Sequence, residues 1–153
     1  MVKKRSESSI MNTEEVGVDD KLSKVGDLYA ELASEIFRIV GPEEEQLLFY
    51  AEAGDMWTGF SLYRNEAARV SYVDETVEDT NLLSDIVLDI WYAEDSDKRW
   101  VEMQLAVDGK KFEARQFYAD QLDRRETYDD RRERAVRERF GDKPIYYSPL
   151  AMD

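Results

Sequence analysis

The side chains best suited to binding or catalysis are acidic and fall in one short segment. Glu75, Glu78, Asp85 and Asp89 follow one another at spacings of three, seven and four residues, so on a helix that begins early enough they share one face. The segment from 70 to 97 contains no Lys or Arg, and like charges at i and i+4 cost a helix about 0.2–0.5 kcal/mol. The other candidate contact residues of this segment are Asp79, Tyr92, Glu94 and Asp95.

This acidic segment has several interpretations. An uncompensated acidic face attracts a protein of opposite charge, because association relieves the repulsion and steers the encounter. Carboxylate clusters also suit Mg²⁺, Mn²⁺ or Ca²⁺ in a metal-dependent hydrolase, although the spacing matches no EF-hand and an acidic site repels nucleic acid. A scaffold or chaperone-like module for basic proteins, or simply a solvated helix face, completes the alternatives.

Residue types that are missing exclude many enzyme classes. The chain has no histidine and no cysteine, which removes zinc fingers, thiol and Ser-His-Asp catalysis, and disulfide bonds. Five arginines lie between 131 and 139, and four acids, Asp129, Asp130, Glu133 and Glu138, lie beside or between them. This pattern favours ion pairs within a helix over contacts with nucleic acid. We therefore expect a protein that is not an enzyme and has no cofactor and no metal.

Size and charge indicate one soluble domain. A chain of 153 residues can bury about 68–70% of its unfolded surface in a single core. Of the net charge of −14, the segment from 42 to 97 holds 15 acidic and 2 basic side chains. No apolar run is long enough to span a membrane, and the first residues lack the apolar core of a secretory signal. These features predict a cytoplasmic protein that binds neither membrane nor nucleic acid.

Three helices are predicted from apolar residues spaced three and four apart. The first covers roughly 20 to 40 and ends at Gly41-Pro42, since Gly adopts the left-handed conformation beyond a helix and Pro cannot continue one. The second runs from about Asp79 to Tyr92, with Asp79 or Thr80 as its cap. The third covers Tyr128 to Phe140 and stops at Gly141.

Five strands are predicted between these helices. They are Gln46 to Glu52, Trp57 to Arg64, Ala68 to Val73, Trp100 to Val107 and Lys111 to Tyr118. The last two flank Asp108-Gly109, a dipeptide typical of tight hairpin turns. The order α-β-β-β-α-β-β-α predicts an α+β fold with a five-stranded, mainly antiparallel sheet and helices on at least one face.

The predicted domain has a boundary at each end. Residues 1–18 lack an apolar period and are expected to form a disordered leader; 19–142 form a single α+β domain, and 143–153 an irregular tail. The aromatics Tyr50, Trp57, Tyr63 and Tyr72 lie on strands. If helices cover only one face of the sheet, the other face exposes these aromatics to a partner.

Four local strings resemble those of a known family. They are Leu28 to Ile36; Leu48 to Glu52; the hairpin residues Trp100, Met103, Leu105, Val107, Gly109, Lys111, Phe112, Phe117 and Tyr118; and Arg137 with Arg139 to Asp142. With the element order, they resemble the YezG-like immunity proteins, the antitoxin partners of bacterial polymorphic and LXG-type toxins. The resemblance spans about residues 22 to 142.

This resemblance implies a cytosolic protein that binds a cognate toxin domain, often a nuclease, and neutralises it by stoichiometric contact. No functional motif of the family can be carried across residue by residue. The expected contact residues therefore rest on charge alone: Glu75, Glu78, Asp79, Asp85, Asp89, Tyr92, Glu94 and Asp95. The acidity of residues 42 to 97 fits a basic partner such as a nuclease domain.

Overall fold

The computed structural model describes residues 16–41, 46–109 and 111–147, with side chains from Lys24 onward. Helix α1 spans Val16–Val40, α2 spans Val77–Tyr92 and α3 spans Tyr128–Phe140. The strands are β1 Gln46–Gly54, β2 Trp57–Asn65, β3 Val70–Tyr72, β4 Glu102–Asp108, β5 Lys111–Phe117 and β6 Ile145–Tyr146. Residues 16–18 of the expected leader are helical and form the start of α1, which therefore begins earlier than predicted. Residues 1–15 of that leader and 148–153 of the expected tail lie outside the described residues.

The helix ends follow the chemistry of their capping residues. Gly41 and Gly141 take positive φ angles of 97° and 88° directly after α1 and α3, as predicted. The cap of α2 is Thr76 rather than Asp79 or Thr80: its hydroxyl accepts a hydrogen bond from the Asp79 amide at 3.1 Å. Helix α2 therefore begins two residues earlier than predicted.

The single sheet is mainly antiparallel, as predicted, but it has six strands rather than five. Its strand order is β5-β4-β1-β2-β3-β6. The sixth strand belongs to the segment expected to be an irregular tail, and it pairs in parallel with β3, placing Ile145 opposite Val70. The Val70 amide also donates to the Pro144 carbonyl at 2.9 Å. A two-residue strand gives no alternation signal, so the sequence pattern could not show it.

Helices cover both faces of the sheet. Leu47, Phe49 and Ala51 of the central strand β1 face α1 and α2 and join the larger core cluster. The alternate residues Leu48 and Tyr50 face the other way, toward Ala135 and Val136 of α3. This alternation is the pleat of a strand buried on both sides.

The second layer also decides where the strand aromatics lie. Tyr50 and Tyr63 are fully buried beneath α3, whereas Trp57 remains half exposed at the end of β2. The alternative of a bare aromatic sheet face is therefore wrong for Tyr50 and Tyr63. None of the helices in the described ranges is long and apolar enough to cross a lipid bilayer.

Candidate protein-binding surface

Helix α2 presents one acidic line to solvent. Apart from its first residue, its exposed positions are Glu78, Asn81, Asp85, Asp89 and Tyr92, whose spacings of three and four place them on one side. Leu83, Ile86, Val87 and Ile90 pack into the core from the opposite side. We call Glu78, Asp85 and Asp89 the acidic stripe.

The acidic stripe carries uncompensated charge among the described residues. No Lys or Arg of the described ranges lies within ion-pair distance of its three carboxylates. Lys24 of α1 lines a cleft of about 240 Å³ with Leu28, Asp89, Tyr92 and Ala93, but it forms no ion pair with Asp89. The like-charge cost of the stripe is therefore unrelieved within this part of the chain.

The other candidate acids are placed differently from the stripe. Asp79 forms an ion pair with Arg38 of α1, and that guanidinium holds the pKa of Asp79 below its ordinary value. Glu94 and Asp95 follow α2 in the turn that leads to β4, and both have interaction partners. These three acids do not add free charge to the stripe.

Glu75 precedes the cap of α2 and therefore does not lie on the stripe. One of its carboxyl oxygens is buried without a hydrogen-bond partner among the described residues. Burial, followed by the nearby charges of Asp74 and Asp79, raises the pKa of Glu75 from 4.5 to about 7. Glu75 is thus a partly buried acid whose charge costs stability.

Replacing Glu75 with Gln should remove a pH-dependent loss of stability. The folded state holds this proton more tightly than the unfolded state, so stability falls as pH rises from about 4.5 to about 7 and then levels off. We expect Glu75→Gln to exceed the wild type by about 1–2 kcal/mol at pH 8 and to match it below pH 4.5. Urea unfolding at both pH values measures this difference, with the exposed Glu78→Gln as control. Equal stability of Glu75→Gln and wild type at pH 8 would contradict it.

Tyr92 links the end of the stripe to the β1–β2 hairpin. Its hydroxyl donates to the Asp55 carboxylate at 2.6 Å and accepts from the Met56 amide at 2.9 Å. Its ring packs edge-on against Trp91 at 5.0 Å between centroids, and the Arg99 guanidinium lies 5.1 Å from its centroid. Of the eight sequence-predicted residues, the structure therefore brings together Glu78, Asp85, Asp89 and Tyr92.

Sequence reasoning missed a buried ion cluster on the opposite face of the sheet. Glu52 and Glu102 lie directly opposite each other on β1 and β4, and both are almost fully buried. The Tyr50 hydroxyl donates to Glu52 and lies 3.1 Å from a Glu102 oxygen. The Gln104 amide donates to the other Glu102 oxygen at 2.7 Å. Burial raises the pKa of Glu102.

Two arginines of α3 complete this cluster. Arg131 binds both oxygens of Glu52, at 2.6 and 2.9 Å, and Arg134 lies 3.7 Å from Glu102. Ion pairs within α3, as predicted, also occur, for example between Arg137 and Glu133 at 4.0 Å. The prediction that the α3 arginines merely coat a solvated helix is wrong for Arg131 and Arg134, and also for Arg132, which donates to the Ser61 hydroxyl on β2 at 3.0 Å. These three arginines fasten α3 to the sheet.

The buried ion cluster and the acidic stripe lie on opposite sides of the sheet. Arg131 and Arg134 are engaged on the side of the sheet away from the stripe, with Glu52, Glu102 and Glu126. Within the described ranges, no group of three or more acidic side chains is arranged to hold a metal ion.

A comparison with protein-family models finds no match to this chain, and a comparison with curated proteins finds no significant one.

Proposed function

We propose that the protein is an immunity protein that binds a cognate bacterial toxin domain and neutralises it by stoichiometric contact. The observation that carries this proposal is the acidic stripe, whose three carboxylates share one exposed side of α2 and have no cation partner among the described residues. Such a surface gains from a positively charged protein, because association offsets repulsion that folding leaves in place. A nuclease domain, which must itself bind a polyanion, is the partner class that fits best.

The rigid support of the stripe strengthens this proposal. Helix α2 is anchored by four core residues and a Thr76 cap, and its first turn is tied to α1 through Asp79 and Arg38. A fixed row of charges steers a partner into one orientation more effectively than charges on a mobile loop. The resemblance to YezG-like immunity proteins points to the same class of cytoplasmic antitoxin.

Reversing two charges of the stripe should slow association. We expect Asp85→Lys with Asp89→Lys to lower the association rate with a nuclease-type toxin domain encoded by a neighbouring gene at least tenfold at low salt. The difference should shrink as salt rises to 0.5 M, since screening removes long-range attraction. Surface plasmon resonance across a salt series, with the toxin domain immobilised, measures both effects.

A matched charge reversal on the opposite face separates local contact from net charge. Glu138 on α3 and Asp142, two residues beyond its end, are also exposed, so Glu138→Lys with Asp142→Lys changes the charge equally. Unlike the stripe acids, Glu138 lies 3.7 Å from a cation, Arg134, so the fold of this variant is checked by its urea unfolding. This variant should keep the association rate within about threefold of the wild type. Association that is insensitive to salt and to both variants would contradict the electrostatic basis; absence of any complex with the toxin domain would contradict the function itself.

A further inference from the structure

The β1–β2 hairpin ends in a two-residue turn that exposes large apolar side chains. In the described ranges, six large apolar residues are exposed, and three lie at this end of the molecule: Met56 at 82%, Trp57 at 50% and Tyr92 at 42%. Val77 lies at the other end of α2. We call the segment Gly54 to Trp57 the hairpin tip.

The conformation of Met56 is unfavourable for its residue type. Its φ of +62° is the only positive φ of a non-glycine residue in the described ranges. Glycine adopts this conformation freely, whereas an L side chain is strained by it. A long apolar side chain that is exposed and held in a strained turn contributes little to folding, which points to a role in binding.

The Trp57 indole occupies the space that a side chain at Gly54 would fill. These residues pair across the turn, and a Cβ atom added at Gly54 would lie only 2.1 Å from the indole nitrogen. The indole therefore lies directly over the Gly54 backbone. An exposed tryptophan in a defined position is the kind of residue that dominates binding energy at protein interfaces.

The hairpin tip extends beyond the neighbouring strands and joins the acidic stripe. Strand β1 pairs with β4 only as far as Glu52, and β2 pairs with β3 only from Tyr63, whereas β1 and β2 stay paired out to Gly54 and Trp57. Trp57 is an even number of residues from Ser61 and Tyr63, so it shares their face of β2 and lies toward the α3 side of the sheet. Tyr92 reaches the tip from the α2 side through Asp55 and Met56. The apolar residues thus straddle a protrusion, with Asp55 on it and Asp89 one helical turn from Tyr92. Arg99, over the Tyr92 ring, is a cation in contact with this region.

We propose that the hairpin tip is the anchor of the toxin complex and inserts into a concave, basic cleft of the toxin domain. A protrusion needs a concave partner, and its apolar end needs a pocket that excludes water. The acids Asp55 and Asp89 beside it complement a rim of Lys or Arg, whose side chains also stack on an exposed Trp ring such as that of Trp57. This inference rests on the proposed function and assigns a different rate constant to each surface. The acidic stripe sets the association rate, and the hairpin tip sets the dissociation rate.

Dissociation kinetics of tip variants test this division. We expect Trp57→Ala and Met56→Gly each to dissociate from the immobilised toxin domain about 30-fold faster than wild type, the equivalent of about 2 kcal/mol. Their association rates should stay within about threefold. Met56→Gly should also keep or raise the melting temperature, because Gly relieves the strained φ. Gly54→Ala should speed dissociation too, although Trp57 is still present, because the indole must move.

The control is Tyr146→Ala, which removes an exposed aromatic at 46% exposure on β6 and should dissociate like wild type. If Trp57→Ala fails to fold, Met56→Gly decides the matter, since it changes only the turn. Wild-type binding with unchanged dissociation of Met56→Gly would overturn the anchor and leave the immunity function intact. Failure of the wild type to bind the toxin domain would overturn both.

Discussion

Replacing Arg131 with Ala should lower the free energy of unfolding by about 3–5 kcal/mol, because it leaves the buried carboxylate of Glu52 without its cation. The side chain of Glu52 is only 4% exposed, and Arg131 binds both of its oxygens. Equilibrium unfolding in urea, monitored by tryptophan fluorescence, measures the loss. It is a large fraction of the 5–15 kcal/mol that typically stabilises a domain.

Two further variants distinguish the lost ion pair from the lost side chain. Arg137→Ala makes the same truncation on the same helix, but its pair with Glu133 is long and exposed, so the loss should stay below about 1 kcal/mol. Adding Glu52→Gln to Arg131→Ala should recover part of the stability, because an amide costs less to bury unpaired than a carboxylate. A loss below 1 kcal/mol for Arg131→Ala would show that α3 does not depend on this pair.

Replacing Phe49 with Ala should also destabilise the protein by about 3–5 kcal/mol, by opening a cavity in the larger core. Phe49 lies at the centre of β1, is fully buried and stacks on Phe60 with 5.3 Å between ring centroids. For a protein of this size, the melting temperature should fall by about 6–20 °C. Calorimetry measures this, with Phe112→Ala as the matched control.

Phe112 suits this purpose because it is 43% exposed on the edge strand β5. Its truncation leaves no enclosed cavity, so the cost should be below about 1 kcal/mol. A similar loss at both positions would mean that the centre of the sheet is not the main hydrophobic core.

Much of the fold could be predicted because its elements carry local signals. The periods of α1 and α3, their terminal glycines and the hairpin at Gly109 all depend on residues that are neighbours in sequence. The sixth strand carries no such signal, since Ile145 and Tyr146 take β structure only because β3 offers a free edge. Helix α2 begins earlier than predicted because Thr76, rather than Asp79 or Thr80, caps it.

The candidate surface was predictable only in part for the same reason. The spacing of Glu78, Asp85 and Asp89 showed that they share a helix face, but the pair between Asp79 and Arg38 is a contact across 41 residues. The hairpin tip joins Tyr92 through a contact across 37 residues. The buried ion cluster did leave a trace: Glu52 and Glu102 interrupt apolar strands, and unpaired acids are rarely buried.

The opposite placement of the ion cluster and the acidic stripe has a consequence for how the protein can evolve. Glu52 and Arg131 hold α3 beneath one side of the sheet, while Asp85 and Asp89 lie on the solvent side of the helix that covers the other. Substitutions at two separate sites that share no contacts have nearly additive effects on the free energy of unfolding. The outer side of α2 can therefore vary in sequence while the framework beneath it stays constant.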